Sequence, residues 1–401
     1  MRINEIKSGG PPMSKILSIS LLALALFAVT FAVNLQAPLY DAYAAESGVG
    51  VTAVAVAFAA YVGGLMPTLL LLGGLSDRIG RRIPIAAALL LGAAATALLA
   101  LRPNWESLVI ARALLGVSTG LATTAGTAYM AEIMGTDQTR RAALVVTSST
   151  SLGFGGGALA TGLSLGLQGP TFVPASFTMF FVIAPLLAGL TLLLPRADVI
   201  KHVSLLRLPV FPAGTWPFGV AMAIAWSTSG MTIGIIPLEL NARGLGGWTG
   251  LVIFLALFIG FLCQPIGRRM SNQSALSLGF VLVPLGFLVL LIGVWKESLV
   301  LVLVGTGITS AASYGFTYLA ALSEVALSAP DNRARSAAGL FVYAYFGFSI
   351  PVIASGALAD SIGLLPAMII FTIVQIAITL VTVFAWRRRI VGKPSNQAPG
   401  V

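Results

Sequence analysis

The sequence predicts an all-α membrane protein with twelve transmembrane helices in two six-helix halves and both termini cytoplasmic. Three observations carry this prediction. The chain is too apolar for water: of 401 residues, 57% are hydrophobic and only 9% charged, with mean hydropathy +0.97, against about 25% charged in ordinary soluble domains. Its charges cut the apolar sequence into membrane-length pieces and fall mostly on one side. Its second half repeats features of the first.

A helix needs about 20 apolar residues to cross a bilayer core. With charges, prolines and glycine clusters as boundaries, the spans are 16–40, 51–75, 83–101, 107–130, 142–166, 171–194, 215–238, 247–266, 274–294, 298–322, 336–358 and 364–386. The thinnest separations are the turns Leu167-Gln168-Gly169-Pro170 and Lys296-Glu297. The run that begins near Ile16 lacks a small-residue cleavage site and reads as a retained first helix. The halves are then 1–194 and 214–387, joined by a short basic linker, 195–213, and followed by a tail, 388–401.

Charge sets the sidedness. With both termini inside, nineteen of the 23 Lys and Arg residues fall on inner segments; Arg102, Arg243 and Lys296 fall on outer turns, and Arg112 within a span. Cytoplasmic loops of membrane proteins carry this excess of Lys and Arg. The same pattern explains the net charge of +10. The basic residues stand singly and in pairs between apolar runs, so no nucleic-acid partner is expected.

Several chemistries are excluded by what is missing. Cys263 is the single cysteine, which rules out an intrachain disulfide and a cysteine metal cage. His202 is the single histidine and lies in a connecting loop, which argues against zinc catalysis and a histidine proton relay. No G-x-x-x-x-G-K-[ST] is present, so this chain does not drive transport with ATP. No His/Asp/Ser constellation sits at one depth. No enzyme activity, cofactor or metal is expected.

Between the second and third spans lies Gly73-Gly74-Leu75-Ser76-Asp77-Arg78-Ile79-Gly80-Arg81-Arg82. Gly73 and Gly80 permit close approach and a tight turn. Asp77 can offer its charge to a helix N-terminus or an arginine. The stretch aligns without gaps on Gly260–Arg269, with Gln264 in the place of Asp77. Likewise Ser151–Gly162 aligns on Tyr345–Gly356, and at that offset Arg141 falls on Arg335. Spans two and eight therefore correspond, as do five and eleven.

The G-x-L-x-D-R-x-G-R-R spacing resembles motif A of the major facilitator superfamily, and the resemblance extends over nearly the whole chain. It implies the major facilitator fold, two parallel six-helix repeats that rock about a midplane site. It also implies a gate at the inner side: Asp77 would meet the start of the eleventh helix near Arg335, with Arg78, Arg81 and Arg82 around it. Glu132 and Glu324 end spans four and ten on that side, each followed by arginines (Arg140 and Arg141; Arg333 and Arg335). They read as an inner salt-bridge layer that can serve as a gate.

Arg112 is the sharpest single residue. A cation at the centre of a membrane helix costs about 2.5–3.5 kcal/mol on insertion scales, so it faces a bundle interior or a wet cavity, or snorkels to the outer interface near Glu106. Gly116, Thr119, Thr123 and Thr127 share its helical face. Arg112-x-x-x-Gly116 is similar to motif B, which implies a role in proton coupling or substrate charge.

On the first span Thr30, Asn34, Pro38 and Asp41 share a face. Many drug/proton antiporters of the superfamily carry an acid where Asn34 stands. Asn34 can line a cavity or hold a neighbouring helix, but it cannot carry a proton. Asp41 can, yet it lies roughly 39 Å beyond Lys15 at 1.5 Å per residue, which also fits a solvated helix end.

The fifth span is glycine-rich, with Gly153, Gly157 and Gly162 as packing positions. It resembles motif C with two departures: Gly157-Ala158 stands for Gly-Pro, and Thr161 for a late glycine. The resemblance implies that spans seven and ten line the central cavity, Trp226 and Tyr314 foremost, each beside polar neighbours; Tyr318, Tyr343 and Tyr345 add further aromatic hydroxyls. Such lining suits an amphipathic, partly aromatic or cationic ligand.

The reading that results is a proton-coupled exporter of small amphipathic compounds, monomeric, in a bacterial-style inner membrane. Its partners are a small-molecule substrate, protons and lipid. Proton-coupled uptake of a small metabolite, anionic if Arg112 carries its charge, is the alternative. A receptor that kept the fold and lost coupling is the third reading.

Overall fold

The structure is a computed structural model that describes residues 14–196, 204–206 and 208–391. Arg2, Lys7, Lys201, His202, Arg207 and Lys393 lie outside the described residues, as does most of the 388–401 tail. All regular structure among the described residues is helical.

The first set of long helices is α1 (Lys15–Asn34), α2 (Val51–Leu71), α3 (Arg82–Leu101), α4 (Trp105–Met134), α5 (Thr139–Gln168) and α6 (Ala175–Thr191). The second is α7 (Trp216–Gly234), α8 (Thr249–Gly267), α9 (Asn272–Trp295), α10 (Leu299–Ser328), α11 (Arg333–Ile362) and α12 (Leu364–Val391). Among the described residues eleven helices are long and apolar enough to cross a membrane. The twelve full spans expected from sequence thus become eleven plus α6. With 17 residues, α6 rises only about 26 Å, short of a ~30 Å core.

Proline ends two helices earlier than their apolar runs. The predicted first span, 16–40, is α1 followed by a 3-10 turn, Ala37–Leu39, and a second helix, Tyr40–Ser47. Pro38 has no N–H to continue the ladder. The seventh breaks at Ile235, and Pro237 lies in the first turn of the helix that follows, Ile236–Ala242. The tenth is interrupted by a π-helical stretch, Ala311–Thr317. In contrast, α4, α5 and α11 run past their apolar limits at both ends, because polar residues at a membrane surface need not stop a helix.

The gap-free repeat does not survive as matching structure. Gly73 and Gly74 lie in the turn between α2 and the short helix Leu75–Ile79, and Gly80 turns the chain with φ of 90°. The aligned residues from Gly260 to Gly267 are the last two turns of α8, and four residues then suffice to reach α9. Gln264 is therefore helical and buried.

Within each set, glycines let backbones touch. A Cβ on Gly116 would lie 2.0 Å from the Tyr61 carbonyl oxygen, which sets α4 against α2. On α5, Gly153 and Gly157 face Phe27 and Phe31 of α1, whereas Gly155 meets Phe254 of α8 and Gly162 meets Gly250. One glycine helix thus packs its own set on one face and the other set on another. Between sets, contacts run along α5–α8 and α2–α11. Apolar side chains such as Phe181, Val182, Leu186, Val374 and Leu380 are exposed on α6 and α12, as a bilayer solvent permits.

Gly116→Ala is expected to destabilise the protein by about 1–3 kcal/mol through overpacking, read as a lower unfolding temperature in detergent. Gly63→Ala, with open space at its Cβ position, should leave it unchanged.

Candidate transport cavity and gates

The site begins with the broken end of α1. A helix leaves its last carbonyls without intrahelical partners and concentrates partial negative charge there. The Val33 carbonyl, one residue from that end, accepts from Arg112 Nη1 at 2.7 Å and from Gln36 Nε2 at 2.9 Å. Arg112 Nη2 donates to the Phe58 carbonyl at 3.1 Å. The guanidinium carbon lies 5.1 Å from the Phe58 ring centroid and 4.8 Å from that of Tyr61, within cation–π range. Arg112 is 1% exposed, so it does not snorkel. Among the described residues no carboxylate forms a salt bridge with it, and its Nε has no partner.

Arg112 lines a cavity of about 210 Å³ between the two helix sets. The first set supplies Asn34, Tyr61, Arg112 and a polar strip on α5 (Thr147, Thr150, Ser151) that ends at Phe154. Asn34 Nδ2 donates to the Phe154 carbonyl at 2.9 Å, tying α1 to α5. The second set supplies an aromatic wall centred on Trp226, whose ring lies 5.2 Å from Tyr345, 5.8 Å from Tyr314 and 6.1 Å from Phe341. The π-helical stretch carries Tyr314 into that wall. It also carries Ser313 against α7, where Ser313 Oγ donates to the Ala225 carbonyl at 2.9 Å. Such stretches are frequent at functional sites.

At the end of the bundle away from Gly73–Arg82 the two sets are latched together. The Asp360 carboxylate, near the end of α11, accepts from the first two backbone N–H groups of α2: Val51 at 2.7 Å and Thr52 at 2.9 Å. Gly50 leaves room for it; a Cβ there would lie 2.5 Å from Asp360 Oδ1. Asn241 Nδ2 donates to Asp41 across the same end. Deeper in, Phe58 packs on Phe348 at 4.8 Å. Among the described residues, the hydrogen bonds that join the two sets all lie at this end.

The sequence model of the Major Facilitator Superfamily matches residues 22–352. The chain belongs to the major facilitator superfamily. No curated protein matches it. Among solved structures it is similar to a bacterial homologue of the human lysosomal transporter Spinster, inward-facing and unoccupied (12% identity, TM-score 0.73, covering 98% of this chain and 100% of that one). It is also similar to a point mutant of the nucleoside transporter NupG (15% identity, TM-score 0.74, covering 93% and 100%). At these identities the likeness shows the fold.

In this superfamily member the motif A stretch forms a cluster within the first set. Arg81 pairs with Asp77 at 2.5 Å and with Glu132 at 2.8 Å, and donates to Ser76 Oγ at 2.7 Å. Burial alone would lower the Arg81 pKa; the hydrogen bond and charge of Glu132, with the charge of Asp77, outweigh it and raise it. Arg82 donates to the Leu192 and Pro195 carbonyls at the end of α6, which supplies acceptors left open there with donors. Arg78 is exposed, and Gly73 is buried.

The expected pair of Asp77 with Arg335 is not formed in this state. Arg335 Nε donates instead to the Leu208 carbonyl at 3.0 Å, and its own carbonyl accepts from Val210. Glu132 meets Arg81 and not Arg141, which is exposed. Glu324 accepts from Asn272 Nδ2 at 2.9 Å.

Of the residues singled out from sequence, Asn34, Arg112, Trp226 and Tyr314 meet on the cavity, and Tyr318 and Tyr345 join them. Asp41 instead bridges the sets at one end. Thr123 is exposed and outside the cavity lining, because the turn of α4 that carries it lies beyond the contact with α2. Tyr343 packs on Phe211 of the linker. Sequence reading missed Tyr61, Phe154, Phe261 and Phe341 as lining, and Gln264, which lines the cavity too. Gln264 had a signal, as the one amide in an otherwise apolar run. The aromatics had none that separates lining from packing.

Asp360→Asn is expected to open the latched end. With spin labels at Glu106 and Lys296, and Cys263 replaced by serine, the longer-distance population should rise about fivefold, the effect of roughly 1 kcal/mol.

Proposed function

We propose that this protein is a secondary active transporter that moves a small amphipathic compound through the central cavity by alternating access. The observation that carries the reading is the cavity itself. It lies between the two helix sets, and each set supplies one wall. Twelve crossings, with α6 as the sixth and both termini cytoplasmic, fit the bias of arginines toward the Gly73–Arg82 end. The rocking bodies would be 1–194 and 214–387, joined by 195–213, in a monomer in the cell's inner membrane. The latched end then faces outward, and Asp77, Arg335 and their neighbours would close the inner side in the opposite state.

Export in exchange for protons is the proposed direction, supported by the likeness of the first-half motifs to drug/proton antiporters. Among the described residues the cavity lining contains no Asp, Glu or His. Proton sensitivity would therefore fall to carboxylates at the ends. Asp41 and Asp360 are the candidates, since protonation of either weakens a contact that joins the sets. A second reading, uptake of an anionic metabolite, is favoured by Arg112 being the one charged residue among the described residues of the lining.

The test uses everted membrane vesicles with an acid lumen and a pH-sensitive dye. Under the proposed direction, one or more of a panel of amphipathic compounds collapses the gradient in wild-type vesicles and not in vesicles carrying Arg112→Ala or Asp77→Asn. A panel without effect, together with accumulation in right-side-out vesicles, would replace export by uptake.

A further inference from the structure

Arg112 brings an unbalanced charge into the cavity. A buried cation is ordinarily paired, since removing a charge from water costs several kcal/mol that only a close counter-charge and full hydrogen bonding offset. Here the compensation is partial. A guanidinium has five N–H donors; two are spent on the Val33 and Phe58 carbonyls, and Nε has no partner. Two aromatic faces and the end of α1 soften the charge without neutralising it.

The rest of the cavity leans the same way. Among the described residues its lining holds no carboxylate that could balance Arg112 or receive a cationic ligand. Across the cavity the Trp226 indole N–H is a second sealed donor without a partner, on a ring fixed by four aromatic neighbours. The volume, about 210 Å³, falls below the ~300–1,000 Å³ of drug-sized sites. It suits a single ring system with a short polar arm.

We infer that the transported compound is a small aromatic or apolar carboxylate whose anionic group is met by Arg112, with Trp226 contributing a neutral donor and the aromatic wall taking the ring. This rests on the transport reading above and narrows its substrate class. The carboxylate supplies the missing counter-charge; the unmet Arg112 Nε and Trp226 N–H are buried in this state and become its donors as the two side chains turn into the cavity. An amide offers acceptors without charge, and an ammonium adds a second cation to a site that already holds one.

The test is binding and transport by the purified full-length protein. Phenylacetate and 2-naphthylacetate are each compared with the corresponding neutral amide and amine, first by calorimetric titration and then by flux in proteoliposomes. The inference expects at least one carboxylate to bind at least tenfold more tightly than its amide, and the amines not to bind. Arg112→Gln should bring carboxylate and amide within threefold of each other, and Arg112→Lys should keep the preference at lower affinity. Should the Arg112 variants fail to fold, Trp226→Phe keeps a ring in place and removes the N–H; it should weaken the carboxylate three- to tenfold. Amides or amines that bind as well as the carboxylates, or carboxylates that do not bind at all, overturn the inference. Flux of those neutral or cationic compounds would show that transport stands while the inference falls. Carboxylate binding without flux would keep the carboxylate site and remove the transport reading, and with it the claim that the carboxylate is carried.

Discussion

A guanidinium held inside an apolar bundle is the constraint around which the first helix set is arranged. Arg112 is buried against the broken end of α1, where the Val33 carbonyl, one residue from the last helical position, accepts from it. Two further conditions follow. The α4 backbone must come close enough to α2 for the guanidinium to reach the Phe58 carbonyl and the two rings, and Gly116 against Tyr61 provides that approach. α1 must also stay in register with α5, which Asn34 and the glycines at 153 and 157 secure. A defect in one helix thereby becomes the ligand shell of a charge on another.

The contacts between the sets are of a different kind from those within them. Inside the first set, glycine–backbone packing and the Arg112 bonds are buried, where exchange with water is costly. Between the sets, the hydrogen bonds among described residues lie at one end, with Asp360 exposed. Water can replace them as they break. The glycine faces of α5 add shape without chemistry: Gly155 against Phe254 and Gly162 against Gly250 have no hydrogen bond to lose as the helices slide. Such an interface can be both closed and reversible.

Much of the fold was legible because charge and apolar length are one-dimensional properties. The interruption of apolar runs by arginines located the helices, and Gly73–Arg82 pointed to the superfamily that the family model then matched across residues 22–352. What was not legible depends on phase and distance. The gap-free alignment of Gly260–Arg269 counted identical residues but could not register that Gly267 is helical where Gly80 has φ of 90°, so Gln264 was placed at a gate and not in the cavity. Asp360 carries no mark in the sequence of its partner Val51, which lies 309 residues away in the chain and donates to it. Nothing in the composition of Ala311–Thr317 marks the i→i+5 turn that interrupts α10 there.

The two walls of the cavity are chemically unequal, and this bears on how binding can drive movement. The cation and the polar strip belong to the first set; most of the aromatic surface belongs to the second. A ligand with a polar group and a ring gains its full set of contacts only while both walls face it. Rocking separates the walls, so a ligand attached to one alone retains part of its binding free energy. A ligand shifts a conformational equilibrium only by its difference in affinity between states. Because the recognition chemistry is divided between the moving bodies, that difference is large for a compound that spans them and small for one that touches a single wall. Selectivity and movement would then share one origin, the placement of Arg112 on one side and Trp226 on the other.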